Sequence, residues 1–473
     1  MKQTKTEPLQ VAVVGHTNTG KTSLLRTLAR DQTFGDVDDA PGTTRQVRSL
    51  PVALDQSTVL VWFDTPGLED SVSLRDWIDG LSVREGRLDG PDRVAMFLSD
   101  QQAEHEFEQE HRVLAQIMRS DAMLYVVDAR DRVLAKHRDE LYLLQLCARP
   151  VLPVLNFVAS PEADVHPWVQ VFARHGMHIH LSFDSISPPI NGEQIMYETL
   201  GQLLGQHKPQ LQALAAQSAL RRRERIMAAI ELLVQLCLEV ASVQTAVKND
   251  PAAVEQAVHA QQHEVRALEQ TFTAKLLEIY QFSREDYLPP TDGWKGGQWR
   301  ADLFSRRTLK ALGVDIGKGA AVGAAAGAAI DVLSAGLSLG TGTLIGAAAG
   351  SAWQGIDRWG KDMKASVLGH RELVVADAVL LALATRNVRL LAALEQRGHA
   401  SQAPVVLSES EAKPAFDHQA LLTCCHRVRE QTLKGQLKRL LGVTDVTEDI
   451  AADMQQVLLS ANALESFTSD GLH

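Results

Sequence analysis

The segment Gly15-His-Thr-Asn-Thr-Gly20-Lys21-Thr22 holds the residue types needed to grip a polyphosphate. Its glycines let backbone N–H groups wrap phosphate oxygens, Lys21 brings a point charge to the outer phosphates, and Thr22 offers a hydroxyl to Mg²⁺. Gly15, Asn18, Thr19, Gly20, Lys21, Thr22 and Ser23 are therefore the candidate phosphate-binding residues. Two further pieces follow at the spacing that a metal-assisted phosphate site needs. Thr43 and Thr44 lie on a polar loop, where a hydroxyl can reach the metal, and Asp64-Thr-Pro-Gly67 begins 43 residues beyond Lys21. Asp64 can hold Mg²⁺ through water, and the Gly67 N–H can sense a terminal phosphate.

The elements that position these groups are legible beside them. Val11 to Val14 is a strand-type apolar run, helix-type spacing starts at Leu24, and Val59 to Phe63 is an apolar strand that ends at Asp64. A loop between strand and helix puts the anion at a helix N-terminus, where backbone N–H groups converge.

These segments resemble the G1, G2 and G3 motifs of the TrmE-Era-EngA-septin superfamily of GTPases, and the likeness covers about residues 9 to 205. It continues through Ser120 to Asp131, similar to the family's strand ending in Val-Asp-Ala-Arg, and Asn156 stands where the family begins its guanine-reading Asn-Lys-x-Asp. The resemblance implies GTP and GDP with Mg²⁺ as ligands, and an α/β P-loop fold with a mostly parallel sheet and helices on both faces. It implies Thr22, Thr44 and Asp64 as metal ligands, with Lys21, Thr44 and Gly67 in the catalytic set. It also implies that Leu68 replaces the water-orienting glutamine of Ras-like relatives, so that hydrolysis is helped from elsewhere. Asn18 stands where potassium-activated members place a K⁺ ligand; the bland alternative is an asparagine tolerant of left-handed backbone.

At the base end the motif is altered. Asn156 is present and Phe157 can stack where a lysine stem would lie, but Ala159 replaces the carboxylate that accepts two hydrogen bonds from guanine. Leaving those donors without a charged partner costs about 2 to 3 kcal/mol. Ser182 and Asp184, after the next strand, are the candidate substitutes; Asp184 either replaces the missing acceptor or caps a turn. ATP is accordingly an alternative ligand. His175, His178 and His180 around that strand read as packed and exposed histidines rather than a metal site.

Between Gly67 and Ala122 the connection is longer than one helix requires, and the insert at 68–120 reads as two or more amphipathic helices, clearest from Phe107 to Met118. Hanging from the loop that moves on hydrolysis, it is a candidate transmitter. Arg75, Arg84 and Arg87 are either internal arginine fingers or members of solvated helix faces.

The 473 residues divide into a G domain at 1–207 and a helical domain at 208–473. A formal charge of −11 argues against nucleic acid as a bulk partner. Four cysteines, two of them adjacent, do not suggest a disulfide framework, and with a polar N-terminus they suit a reducing cytoplasm. The whole chain also resembles the two-domain bacterial GTPases whose C-terminal half is a domain of unknown function, which implies a bacterial origin. Long helical patterns run from about Gln210 to Val247 and from Pro251 to Tyr280, and a further one begins at His370. Arg221 to Arg225 is a basic run that either meets anionic lipid or pairs with acidic neighbours. The second half also carries a Gly/Ala-rich helical hairpin at about 313–356, with Gly319, Gly323, Gly327 and Gly342, Gly346, Gly350 at four-residue spacing. That spacing permits close helix contact in a membrane or in a soluble bundle. The 319–356 segment is thus a candidate lipid contact at the inner membrane. A homo-oligomer or an unidentified protein partner stays open.

Overall fold

The computed structural model describes residues 7–35, 46–85, 88–248, 250–288, 337–339, 370–407, 416–439 and 448–461. Thr44, Arg87 and, apart from 337–339, the Gly/Ala-rich hairpin lie outside the described residues. The chain divides into two compact units, Met1–Arg222 with Gln396–Gln402, and Arg223–Glu395 with Ala403–His473.

In the first unit, β1 (Leu9–Val14), β2 (Arg48–Leu54), β3 (Ser57–Asp64), β4 (Ala122–Asp128), β5 (Val151–Asn156) and β6 (Leu181–Ser182) form one sheet in the order β2-β3-β1-β4-β5-β6. Only the β2–β3 pair is antiparallel; β1, β3, β4, β5 and β6 pair in parallel. A parallel sheet needs helical crossovers, and these cover both faces. Alternation along β1 sends Ala12 and Val14 into the core on one face, and Val11 and Val13 into the core on the other. The helices are α1 (Lys21–Ala29), α2 (Ser71–Glu85), α3 (Gly90–Ser99), α4 (Gln101–Glu106), α5 (Glu108–Arg119), α6 (Ala135–Leu146), α7 (Val165–Arg174) and α8 (Gly192–Leu203). The insert is thus the run α2 to α5. Its Val94, Phe97, Phe107, Val113, Leu114 and Ile117 share one core with Leu68, Leu74 and Ile78.

The long helix α9 (Lys208–Ser242) begins at the expected boundary, 207/208, and carries residues of both units, which divide between Arg222 and Arg223. The second unit is mainly helical, with α10 (Pro251–Ile279), α11 (Asp377–Glu395), α12 (His418–Arg439) and α13 (Glu448–Leu459). Two segments expected to be helical are strands: β7 (Gln244–Lys248) and β10 (His370–Val375), which pair antiparallel and are joined by β9 (Leu337–Leu339). β8 (Tyr287–Leu288) pairs with β11 (Val405–Val406). The reason is tertiary: buried Gln261 donates to Thr245 Oγ1 at 2.9 Å and to the Leu373 carbonyl at 3.0 Å, fixing both strands from α10. Within the basic run, Arg222 bonds Asn191 in the first unit, and Arg225 lies near Glu395 and over the Tyr280 ring in the second. Both arginines therefore have protein partners. All four cysteines are buried, and burial pushes the Cys147 and Cys425 thiols up to about 12, as packing groups require. Among the described residues, no helix is long and apolar enough to cross a membrane.

Candidate nucleotide site

The phosphate end is assembled at the C-terminal ends of β1 and β3. Gly20, with φ 87°, closes the loop at the start of α1, and a Cβ there would lie 2.2 Å from Asn156 Nδ2. Lys21 is buried and its ammonium donates to the carbonyls of Gly15 (3.1 Å) and His16 (2.7 Å), which holds the charge inside the loop. Desolvation lowers its pKa to about 8, although Asp64, Glu140 and Glu69 pull the other way. Thr19 Oγ1 donates to the His16 carbonyl at 3.0 Å, and Ser23 is half-buried on α1. Asn18 has φ 66°, a left-handed conformation that asparagine tolerates.

Thr22 Oγ1 donates to Asp64 Oδ2 at 2.7 Å, so the two expected metal ligands from α1 and β3 converge. A hydroxyl and a carboxylate so placed fit a Mg²⁺ ion whose other ligands are phosphate oxygen and water. Among the described residues there is no group of three or more His, Cys, Asp or Glu suited to a metal.

The loop after β3, Gly67 to Asp70, which corresponds to switch II of the resembling GTPases, is fastened directly to the phosphate loop. A Cβ on Gly67 would meet Thr17 Oγ1 at 2.2 Å, so only glycine permits this approach. Leu68 N–H donates to the Gly15 carbonyl at 3.1 Å, its carbonyl meets His16 Nδ1 at 2.6 Å, and its side chain is fully buried. A carbonyl only accepts, so His16 Nδ1 carries the proton. Lys136 Nζ then donates to His16 Nε2 at 2.7 Å, and buried Glu140 lies 3.0 Å from Nδ1 while accepting from Tyr125 at 2.7 Å. Burial and the adjacent Glu140 raise Tyr125 far above the usual phenol range. This His16–Glu140 arrangement had no signal in the sequence. Arg75 on α2 pairs with Asp139 at 2.5 Å and covers the Tyr142 ring, both on α6.

At the base end, buried Asn156 works as a clip. Its Nδ2 donates to the Thr19 carbonyl at 3.0 Å, and its Oδ1 accepts from Phe157 N and Ser185 N, both at 2.9 Å. Phe157 sits at φ 58° with its ring edge against Gly20 and the Arg130 guanidinium 4.2 Å from its centroid. Arg130 is held in turn by both oxygens of Asp128. Ala159 is exposed, and its N–H donates to Asp184 Oδ2 at 2.9 Å; Asp184 Oδ1 accepts from Ile186 N at 2.9 Å and Ser187 N at 3.0 Å. With 3% exposure and three backbone bonds, Asp184 organises the loop. Ser182 is exposed on β6.

Comparison with known proteins agrees with this arrangement. Residues 10–157 match a family model described as 50S ribosome-binding GTPase, and residues 170–456 match the domain of unknown function DUF3482. The second match spans more than half of the chain. The chain belongs to the DUF3482 family. In this DUF3482 protein the N-terminal unit is a P-loop GTPase domain similar to that of GTPase Der, a family that in general binds GTP or GDP with Mg²⁺. GTPase Der of Dinoroseobacter shibae is 37% identical over 83 residues, covering 18% of this chain and 16% of that protein. GTPase Der of Bartonella henselae is 26% identical over 197 residues, covering 40% and 35%. The chain thus spans only 15% to 35% of the length of the curated relatives it matches. Era in complex with MgGDPNP and a 16S ribosomal RNA segment is 17% identical, with a TM-score of 0.29 over 40% of this chain and 55% of that one.

Proposed function

We propose that this protein is a Mg²⁺-dependent GTP-hydrolysing switch whose nucleotide state controls its helical half. The observation that carries this reading is the 2.7 Å contact between Thr22 and Asp64, beside a buried Lys21 and a switch II loop bonded to the phosphate loop. Thr22 and Asp64 would hold the metal, and Thr44, outside the described residues, would complete its set when GTP is bound. The metal would neutralise charge on the phosphate oxygens. Lys21 supplies the protein's own cation, and the loop N–H groups orient the phosphates. Leu68 is buried and apolar, so it orients no water; that task falls to backbone groups, to K⁺ at Asn18, or to a second protein. Single-turnover GTP hydrolysis with Mg²⁺ or EDTA tests the reading, and turnover no faster than that of Lys21→Ala would sink it. Comparing KCl with NaCl tests the Asn18 route.

A second reading, a nucleotide-holding sensor with little turnover, is favoured by buried Leu68 and by Ala159. The same single-turnover measurement separates the two. We place the protein in the bacterial cytoplasm, with the 319–356 hairpin as its lipid contact. Flotation with liposomes in GTP and GDP checks that contact. The matching family is described as ribosome-binding, so net charge alone does not set nucleic acid aside; co-sedimentation with ribosomes decides that partner.

A further inference from the structure

Switch II is bonded to the phosphate loop on one side, and on the other it is held by one buried carboxylate of the insert. Glu110 Oε1 accepts from the backbone N–H of both Glu69 and Asp70, each at 3.0 Å. Glu110 lies on α5, about 40 residues later in the chain, and is 5% exposed. Its place is unusual for an acidic side chain. Glu110, Val113, Leu114 and Ile117 follow helical spacing and are all buried, so the carboxylate stands on the apolar stripe of α5. A charge is tolerated there only when it is hydrogen-bonded.

The two N–H groups it takes immediately precede α2, where amides point outward and a negative charge is favoured. Asp70 itself accepts from Ser73 N at 3.0 Å, and Thr17 Oγ1 donates to Glu69 at 3.0 Å. Gly67 to Asp70 is therefore held between the phosphate loop and α5. Leu68, Leu74 and Ile78 bury into the same core as α3 and α5, so the loop and the insert pack as one body.

We infer that Glu110 is a positioning residue for hydrolysis: it fixes the loop on which Gly67 presents its N–H toward the terminal phosphate. This rests on the GTP-hydrolysing reading above. It also gives the insert a task, because a displacement of α5 would move switch II through two charge-assisted hydrogen bonds. A protein that displaced α5 would therefore regulate turnover without touching the nucleotide.

The test uses the full chain with Glu110→Ala and Glu110→Gln, the second keeping an acceptor oxygen and the side-chain volume, which guards against misfolding of the first. In Glu110→Ala the amide hydrogens of Glu69 and Asp70 should exchange with solvent about tenfold faster, and in Glu110→Gln near the parent rate. Single-turnover GTP hydrolysis should fall about tenfold in Glu110→Ala with GDP affinity within twofold, and recover in Glu110→Gln. Unchanged exchange in a folded Glu110→Ala overturns the inference, as does unchanged turnover. Equal losses of turnover in both variants with amide protection retained also overturn it. Absence of turnover in the parent chain refutes GTP hydrolysis and the catalytic part of the inference, while the exchange rates still decide whether Glu110 holds switch II.

Discussion

The two ends of the nucleotide site are built on different principles. At the phosphate end each group is duplicated by a neighbour: Lys21 is bracketed by two carbonyls, Thr22 by Asp64, and Leu68 by Gly15 and His16. At the base end the loops are joined mainly through Asn156 and Asp184, and the exposed position that carries a carboxylate in related GTPases is Ala159. Phosphate chemistry is common to all nucleotides, whereas base discrimination rests on a few hydrogen bonds. Affinity and selectivity are thereby separable in this protein.

The widest gap between the ends should follow from Lys21→Ala, which removes a buried cation. Affinity for both GTP and ATP should drop by roughly a hundredfold or more, about 3 kcal/mol. Titration with fluorescent nucleotides measures it, and a loss confined to one nucleotide would contradict the separation.

Ala159→Asp acts on the other end alone. Because Asp184 is committed to three backbone N–H groups, the new carboxylate should raise GTP over ATP selectivity by roughly tenfold. An unchanged ratio in competition titrations would mean that guanine is already read by another group.

The comparison sharpens further with pH. Lys21 has a folded pKa of about 8, lowered by desolvation from 10.5. On this group's account the unfolded chain holds more protons between pH 8 and 10.5, so stability rises with pH there. Phosphate binding needs the protonated amine, so its dependence has the opposite sign. GDP affinity should fall roughly fourfold between pH 7 and 8.5, with proton uptake on binding. Calorimetry in buffers of different ionisation heat checks this, and a flat profile would rule Lys21 out as the titrating group.

The smallest effect is expected from Arg75→Ala. Its guanidinium is occupied by Asp139 and by the Tyr142 ring, so single-turnover hydrolysis should stay within about twofold of the parent. A loss of tenfold or more would make Arg75 a catalytic group.

Much of the first unit was legible. Strand, loop and helix around Gly15 to Thr22 lie within one short segment, so residue type and periodicity report each of them directly. The Phe107 to Met118 pattern matched α5, and Glu110 on its apolar stripe was a readable anomaly, though its partners were not. The strands β7 and β10 were missed because their pairing partner lies about 120 residues away and local composition there favours helix. Arg130 was read only as part of a strand motif; its position over Phe157 depends on where β4 and β5 end side by side.

What the sequence by itself determined is the candidate phosphate chemistry: which residue types suit an anion and a metal, and the loss of a carboxylate at Ala159. Those properties are local, set by side-chain type and by the order strand, glycine loop, helix. Only the tertiary structure decided that Asp184 ties the base loops together, that His16 reaches Glu140, and that Glu110 holds switch II. Those bonds join residues 25 to 124 positions apart, and a buried charge takes its partner from the surrounding fold rather than from its neighbours in the chain.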